Sequence, residues 1–274
     1  MTRRQRVTGI VSLAVASVVF ILPFLFIFIN AAKTPAEASQ PSCAMPNEWQ
    51  LRQNLVDVVQ VRDDALLLAY FNSIVITAGA MTLLVILAAM VGYVLQRRPT
   101  PFSKFVEFVA LAGLMILPAV VPTIWVLQQV NLFKTIHGMI LIQVAYGLSF
   151  RILLFRAFIS LIPRDLDEAA IVDGATPVQA FFRVILPLLT PLSLTVIVVQ
   201  SITIFNDCTH PLHYLPGPDN ITVQLTLHTF QSQFTSQLNL LFMNILLITI
   251  PPLLVFVVFD RQIVAGMTSG AVKG

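Results

Sequence analysis

Four groupings of residues in this chain of 274 could do chemistry. Cys208, His210 and His213, in "CTHPLH", are metal-ligand types, but Pro211 separates the histidines and no fourth ligand is near, so no metal is expected there. Arg151 stands inside the apolar stretch "YGLSFRILLFRAF", where a charge is costly. It either faces a solute path and bonds hydroxyls, or serves as a structural partner for a group on a neighbouring helix. Asn206 and Asp207 close another apolar run and could cap it or line its outer mouth. The fourth grouping is "DEAAIVDGATPVQAFFRVILPLLTP", residues 167–191, which turns from charged to small to amphipathic between two oily segments. The chain has no G-x-x-x-x-G-K-[ST] phosphate loop and no G-x-S-x-G or H-E-x-x-H. ATP binding of that kind and intramembrane hydrolysis are therefore not expected, and no residue is read as catalytic.

The elements that position these residues follow from composition. Hydrophobic residues make up 57% of the chain and charged ones 11%, with a mean hydropathy of +0.86. A water-soluble domain carries about 25% charged residues, so an all-α integral membrane protein is expected. A span needs about 20 apolar residues. Six such runs lie near 9–29, 66–95, 105–127, 139–160, 188–205 and 238–259. Together they read as a single transmembrane domain over 1–274, with a core at 66–260 and a tail at 261–274. Pro118 with Pro122, and Pro251 with Pro252, should kink or break the third and sixth runs. The net charge of +3 reflects where basic residues sit and does not point to nucleic acid. Cys43 and Cys208 are open either to one bridge or to two free thiols.

Lys and Arg near span ends set orientation. Arg3, Arg4, Arg6, Arg97, Arg98, Lys104, Arg156, Arg164, Arg183, Arg261 and Lys273 fall on one side, against Lys33, Arg52, Arg62 and Lys134 on the other. Both termini and the loop 161–187 are thus expected in the cytoplasm. The outer segment 32–64, with three prolines, suits a short folded or extended cap, and "PGPDN" marks a turn in the last outer loop.

Within the cytoplasmic loop, Pro163 followed by Asp165, Asp167 and Glu168 suits a helix start, where the dipole favours anions. Gly174 can take the left-handed conformation that ends a helix. Thr176, Pro177 and Gln179 then signal a second start with a capping box. Val178, Phe181, Phe182 and Ile185 give that helix an apolar face, and Leu166, Ala169 and Ala170 give the first a low-relief one. Such a pair either connects two spans at the membrane surface or docks a partner.

"EAAIVDGATPVQAFFRVILP" resembles the EAA loop of ABC importer membrane subunits: Glu-Ala-Ala, three residues, Gly, nine residues, then Ile-x-Leu-Pro. Glu168, Ala169, Ala170, Gly174, Leu186 and Pro187 match in register, and Val184 stands where isoleucine is usual. "YFNSIVITAG", "LPAVVPTIW", "SLIPRDLDEAA" and the ending "GMTSGAVKG" resemble carbohydrate-importer subunits that pair with a second membrane subunit, as in maltose and glycerol-phosphate systems. The resemblance implies a type I importer fold of six transmembrane helices with a cytoplasmic coupling loop. It also implies a second six-span subunit, two ATP-binding cassette subunits that carry ATP and magnesium, an extracytoplasmic solute-binding protein, and a bacterial cytoplasmic membrane. No cofactor is expected on this chain.

By the same resemblance Glu168, Ala169, Ala170, Asp173, Gly174, Ala175 and Pro187 belong to the ATPase-coupling loop, and Gly266, Ser269 and Gly270 to a tail that reaches the ATPase. Arg151, where many relatives carry an apolar residue, Asn206 and Asp207 are candidates for the translocation path. The rival readings are an ion-coupled secondary transporter, which would want paired acids inside the spans, and a membrane scaffold that transports nothing. No such pair is found inside the runs, and Glu107 and Asp207 lie near span ends.

Overall fold

A computed structural model describes residues 3–60, 65–116, 118–233 and 237–271. Among them every regular element is helical: α1 (Arg3–Ala31), α2 (Pro35–Ala38), α3 (Leu51–Gln60), α4 (Ala65–Arg97), α5 (Pro101–Met115), α6 (Val120–Gln129), α7 (Ile136–Ile159), α8 (Asp165–Val172), α9 (Pro177–Ala180), a π stretch (Phe181–Ile185), α10 (Leu186–Leu188), α11 (Thr190–Phe205), α12 (Thr209–Tyr214), α13 (Val223–Gln233) and α14 (Leu238–Ala271). Arg62 and Lys273, used above for orientation, lie outside the described residues. The chain divides into two compact units, Met1–Ala69 with Val223–Pro251, and Tyr70–Thr222 with Pro252–Gly274.

In the first unit a polar knot ends α1 and folds the outer segment back. Lys33, 2% exposed, donates from Nζ to Asn30 Oδ1 (3.1 Å), Ser42 O (2.8 Å) and Ser42 Oγ (2.9 Å). All three ammonium donors are thereby met, which a buried cation requires. Asn54 donates to Ala31 O (2.8 Å) and Lys33 O (2.9 Å) and accepts from Asn239 (2.8 Å). The segment expected as a folded or extended cap is thus folded, with α2 capped by Thr34.

The second unit is built on α4, α7 and α11, whose Leu84, Ala88, Phe155, Ile159, Val196 and Ile204 form a buried core with Ile185 and Leu189. The outward faces remain apolar: Phe71, Ile74, Phe102, Phe105, Phe108 and Trp125 are exposed. Water does not tolerate so much bare hydrocarbon on a folded surface, whereas lipid does.

Of the six spans expected from hydropathy, three or four stand out among the described residues by length and composition. Three helices, Ala65–Arg97, Ile136–Ile159 and Leu238–Phe259, are long and apolar enough to cross, and a fourth results if the bent pair Pro177–Leu188 and Thr190–Phe205 is one span. The third run breaks between α5 and α6 around Pro118, as its proline suggested: an internal proline removes a backbone donor and crowds the preceding carbonyl. Pro251 and Pro252, by contrast, do not break α14. Of the first run, Val15–Ala31 counts only as a shorter apolar helix. Neither Cys43 nor Cys208 is in a disulfide.

Candidate functional site

The loop after α7 is organised by its caps. α8 starts with Asp165, Asp167 and Glu168 in its first turn and ends at Asp173. Gly174 follows at φ +86°, its N–H donates to Ile171 O (3.0 Å), and the Ala175 N–H donates to Ala170 O (3.0 Å). These two bonds make a Schellman termination, the left-handed turn in which glycine carries no Cβ strain. The next helix begins with the expected capping box: the Gln179 N–H donates to Thr176 Oγ1 (3.3 Å) and the Thr176 N–H to Gln179 Oε1 (2.9 Å). It then widens into π geometry over Phe181–Ile185, with the Leu186 N–H reaching Phe181 O. Pro187 just beyond lacks a donor for the Arg183 carbonyl and its ring crowds that oxygen, and the wider turn relieves this. At Leu189 the chain bends by 72° into α11, which has Pro191 in its first turn.

Burial splits the loop into two faces. Glu168, Ala169, Asp173 and Gly174 are exposed and Ala175 partly so, among the bare apolar side chains of Ile171, Val172 (85% exposed) and Val178 (62%). Ala170 is buried at 8% exposure on the inner face of α8, where its carbonyl accepts from the Ala175 N–H at the bend. The expected single apolar face of the second helix is also divided: Phe181 and Ile185 point inward, whereas Val178 and Phe182 point out. Pro187 is exposed and sits at the π stretch.

One cluster had no local signal. Arg97, at the end of α4, brings Nε to 2.8 Å from Asp167 Oδ2, a charge contact outside hydrogen-bond alignment, with the two side chains 9% and 11% exposed. Its Nη2 donates to Ile162 O (2.9 Å), and Tyr93 Oη donates to Asp167 Oδ1 (2.7 Å). The Tyr93 ring also packs on Phe181 at 5.3 Å between centroids. Nearby, Arg156 of α7 pairs with Glu107 of α5 and reaches Gln96 of α4 (3.4 Å).

This loop, led by acids, turned by glycine and continuous with a membrane helix, lies inside a stretch that has known relatives. A family profile described as the binding-protein-dependent transport system inner membrane component matches residues 85–269. The chain belongs to that family.

Similar members of known role include the trehalose transport system permease protein of Mycobacterium tuberculosis, 35% identical over 78% of this chain and 79% of that one. The diacetylchitobiose uptake system permease protein of Streptomyces coelicolor is 29% identical over 94% of this chain and 85% of that one. A crystal structure of a bacterial ABC transporter involved in the import of the acidic polysaccharide alginate shares the fold, with a TM-score of 0.81 over 95% of this chain and 98% of that one, at 19% identity. Members of this family are membrane components of transport systems.

The other residues singled out in this family member fall elsewhere. Arg151 donates to Gln200 Oε1 on α11 and to Gly147 O (3.3 Å) on its own helix, and its guanidinium lies over the Phe150 ring. Asn206 forms the C-cap of α11 and is exposed. Asp207, just past that helix, accepts from Gln143 Nε2 (2.6 Å) and from the His210 N–H (3.2 Å), and its Oδ2 lies 2.6 Å from His210 Nδ1. Burial pushes the Asp207 carboxyl up, but the bonds to His210 and Gln143 together outweigh it and hold the group below its ordinary value. Gly266, Ser269 and Gly270 lie in α14, which stays helical to Ala271; Val272, Lys273 and Gly274 are outside the described residues.

Proposed function

We propose that this chain is one of two membrane subunits of an ABC importer for a sugar or sugar derivative in a bacterial cytoplasmic membrane. The observation that carries the reading is the outward face of the loop: acids Glu168 and Asp173 beside small Ala169, Gly174 and Ala175, ringed by bare Ile171, Val172 and Val178. Small residues let another backbone approach, acids can pair with Arg or Lys, and the exposed aliphatics supply area to bury. The partner it fits is a cytoplasmic ATPase subunit, two of which hold the ATP and magnesium. Pro187 and the bend behind it join the docked loop to α11.

Closure of the ATPase pair then pushes the loop, the spans rock, and the path alternates between the cytoplasm and an outer solute-binding protein. A second six-span subunit encloses the other half of the path. In this reading the first run and the broken α5–α6 pair complete six spans here, both termini are cytoplasmic, and Gly266, Ser269 and Gly270 make a second contact with the ATPase. Relatives named for trehalose and diacetylchitobiose uptake support the solute class.

The test is affinity purification of the full chain from its native membranes. An ATP-binding cassette protein, a second six-span protein and a solute-binding protein should come with it, and the ligand of the last names the solute. Solute uptake by the purified chain alone, driven by an ion gradient, would overturn the reading.

A further inference from the structure

The cytoplasmic end of α4 holds the loop at three separate places. Arg97 holds the entry through Ile162 O and the first loop helix through Asp167, while Tyr93 holds Asp167 through its hydroxyl and the second half of the loop through Phe181. One residue up, Gly92 lies so close to α7 that a Cβ there would stand 3.0 Å from the Arg156 nitrogen and 3.1 Å from Ile152 O. The end of α4 is thus seated on α7 and on both halves of the loop at once. On α8 the faces divide the work: Glu168 and Ala169 point outward, and Asp167 and Ala170 point inward.

We infer that Tyr93 and Arg97 form a clasp through which displacement of the loop is passed to α4, with Asp167 as the positioning residue they hold. Resting on the docking reading above, this assigns the loop a second output besides its covalent continuation into α11. A buried charge pair suits such a link, because separating it leaves an uncompensated charge, so the two elements travel together.

The test uses the assembled transporter in proteoliposomes and reads solute moved per ATP hydrolysed, with retention of the ATPase subunit measured beside it. Asp167→Asn should lower that ratio about 2- to 30-fold, while the ATPase stays bound and still hydrolyses ATP. Tyr93→Phe keeps the ion pair and should lower it less, in the same direction. Should Asp167→Asn fail to fold, Arg97→Met combined with Asp167→Leu removes both charges without stranding one, and the same low ratio is expected from it. An unchanged ratio in these variants overturns the clasp. So does a ratio that falls only when the ATPase is lost, since Asp167 would then merely shape the docking face. A wild-type chain that retains no ATPase overturns the docking reading itself.

Discussion

Replacing Gly174 separates backbone conformation from contact. An added Cβ would meet nothing within 4 Å, so no clash inside this chain enters, and the cost of a side chain comes from φ +86° alone. A residue held in that region costs on the order of 1–3 kcal/mol, most for a β-branched one and least for asparagine, which visits left-handed backbone readily. If the chain relaxes instead, it gives up the Gly174-to-Ile171 and Ala175-to-Ala170 bonds, each worth about 1 kcal/mol net. Either route disfavours the bend by about 2 kcal/mol, roughly a 30-fold shift in the bent population.

Uptake of a sugar whose import depends on this chain should therefore fall in the order Gly, Asn, Ala, Val at position 174. The amount of chain in the membrane fraction should stay constant, because the loop is outside the spans. Wild-type uptake by Gly174→Val would refute the reasoning. Gly174→Asn as impaired as Gly174→Val would refute it too, since backbone conformation would then not be what matters.

Three further outcomes are expected. Arg151→Leu should lower thermal stability in detergent by about 1–3 kcal/mol, because buried Gln200 loses its donor, and adding Gln200→Leu should recover part of it. The half-saturating solute concentration for uptake should not move; a rise without loss of stability would put Arg151 on the solute path. The depressed Asp207 carboxyl contributes stability above its ordinary value of 3.8, which is lost as pH falls through the lower folded-state value. Detergent unfolding followed from pH 7 downward should show this acid-side loss in wild type and not in Asp207→Asn. Removing residues 266–274 should reduce solute-coupled ATP hydrolysis while the chain still inserts, as read by ATPase assay and membrane fractionation.

The loop was legible because its signals are local. Acids at a helix start, a glycine where φ turns positive, and Thr-Pro-x-Gln at the next start each act within four residues, and the Schellman and capping-box bonds realise them directly. The break near Pro118 was legible for the same reason. Less legible were the π stretch and the 72° bend, where Pro187 and Pro191 must be accommodated against a packed core, and the inward turn of Ala170 beside the outward turn of Val178. Helical spacing says which residues share a face but not which face another helix will cover.

The sequence by itself therefore determined a membrane-embedded, all-helical chain with a capped helix–glycine–helix loop, since hydropathy, caps and φ preferences are properties of short stretches. Only the tertiary structure decided that Arg97 and Tyr93 would close on Asp167, 70 and 74 residues away, and that Arg151 would answer to Gln200 rather than stand open. Such pairings depend on where whole helices pack. Each buried charge takes whichever partner that packing brings within reach, because leaving it without one in a low-dielectric interior costs more than any local preference can supply.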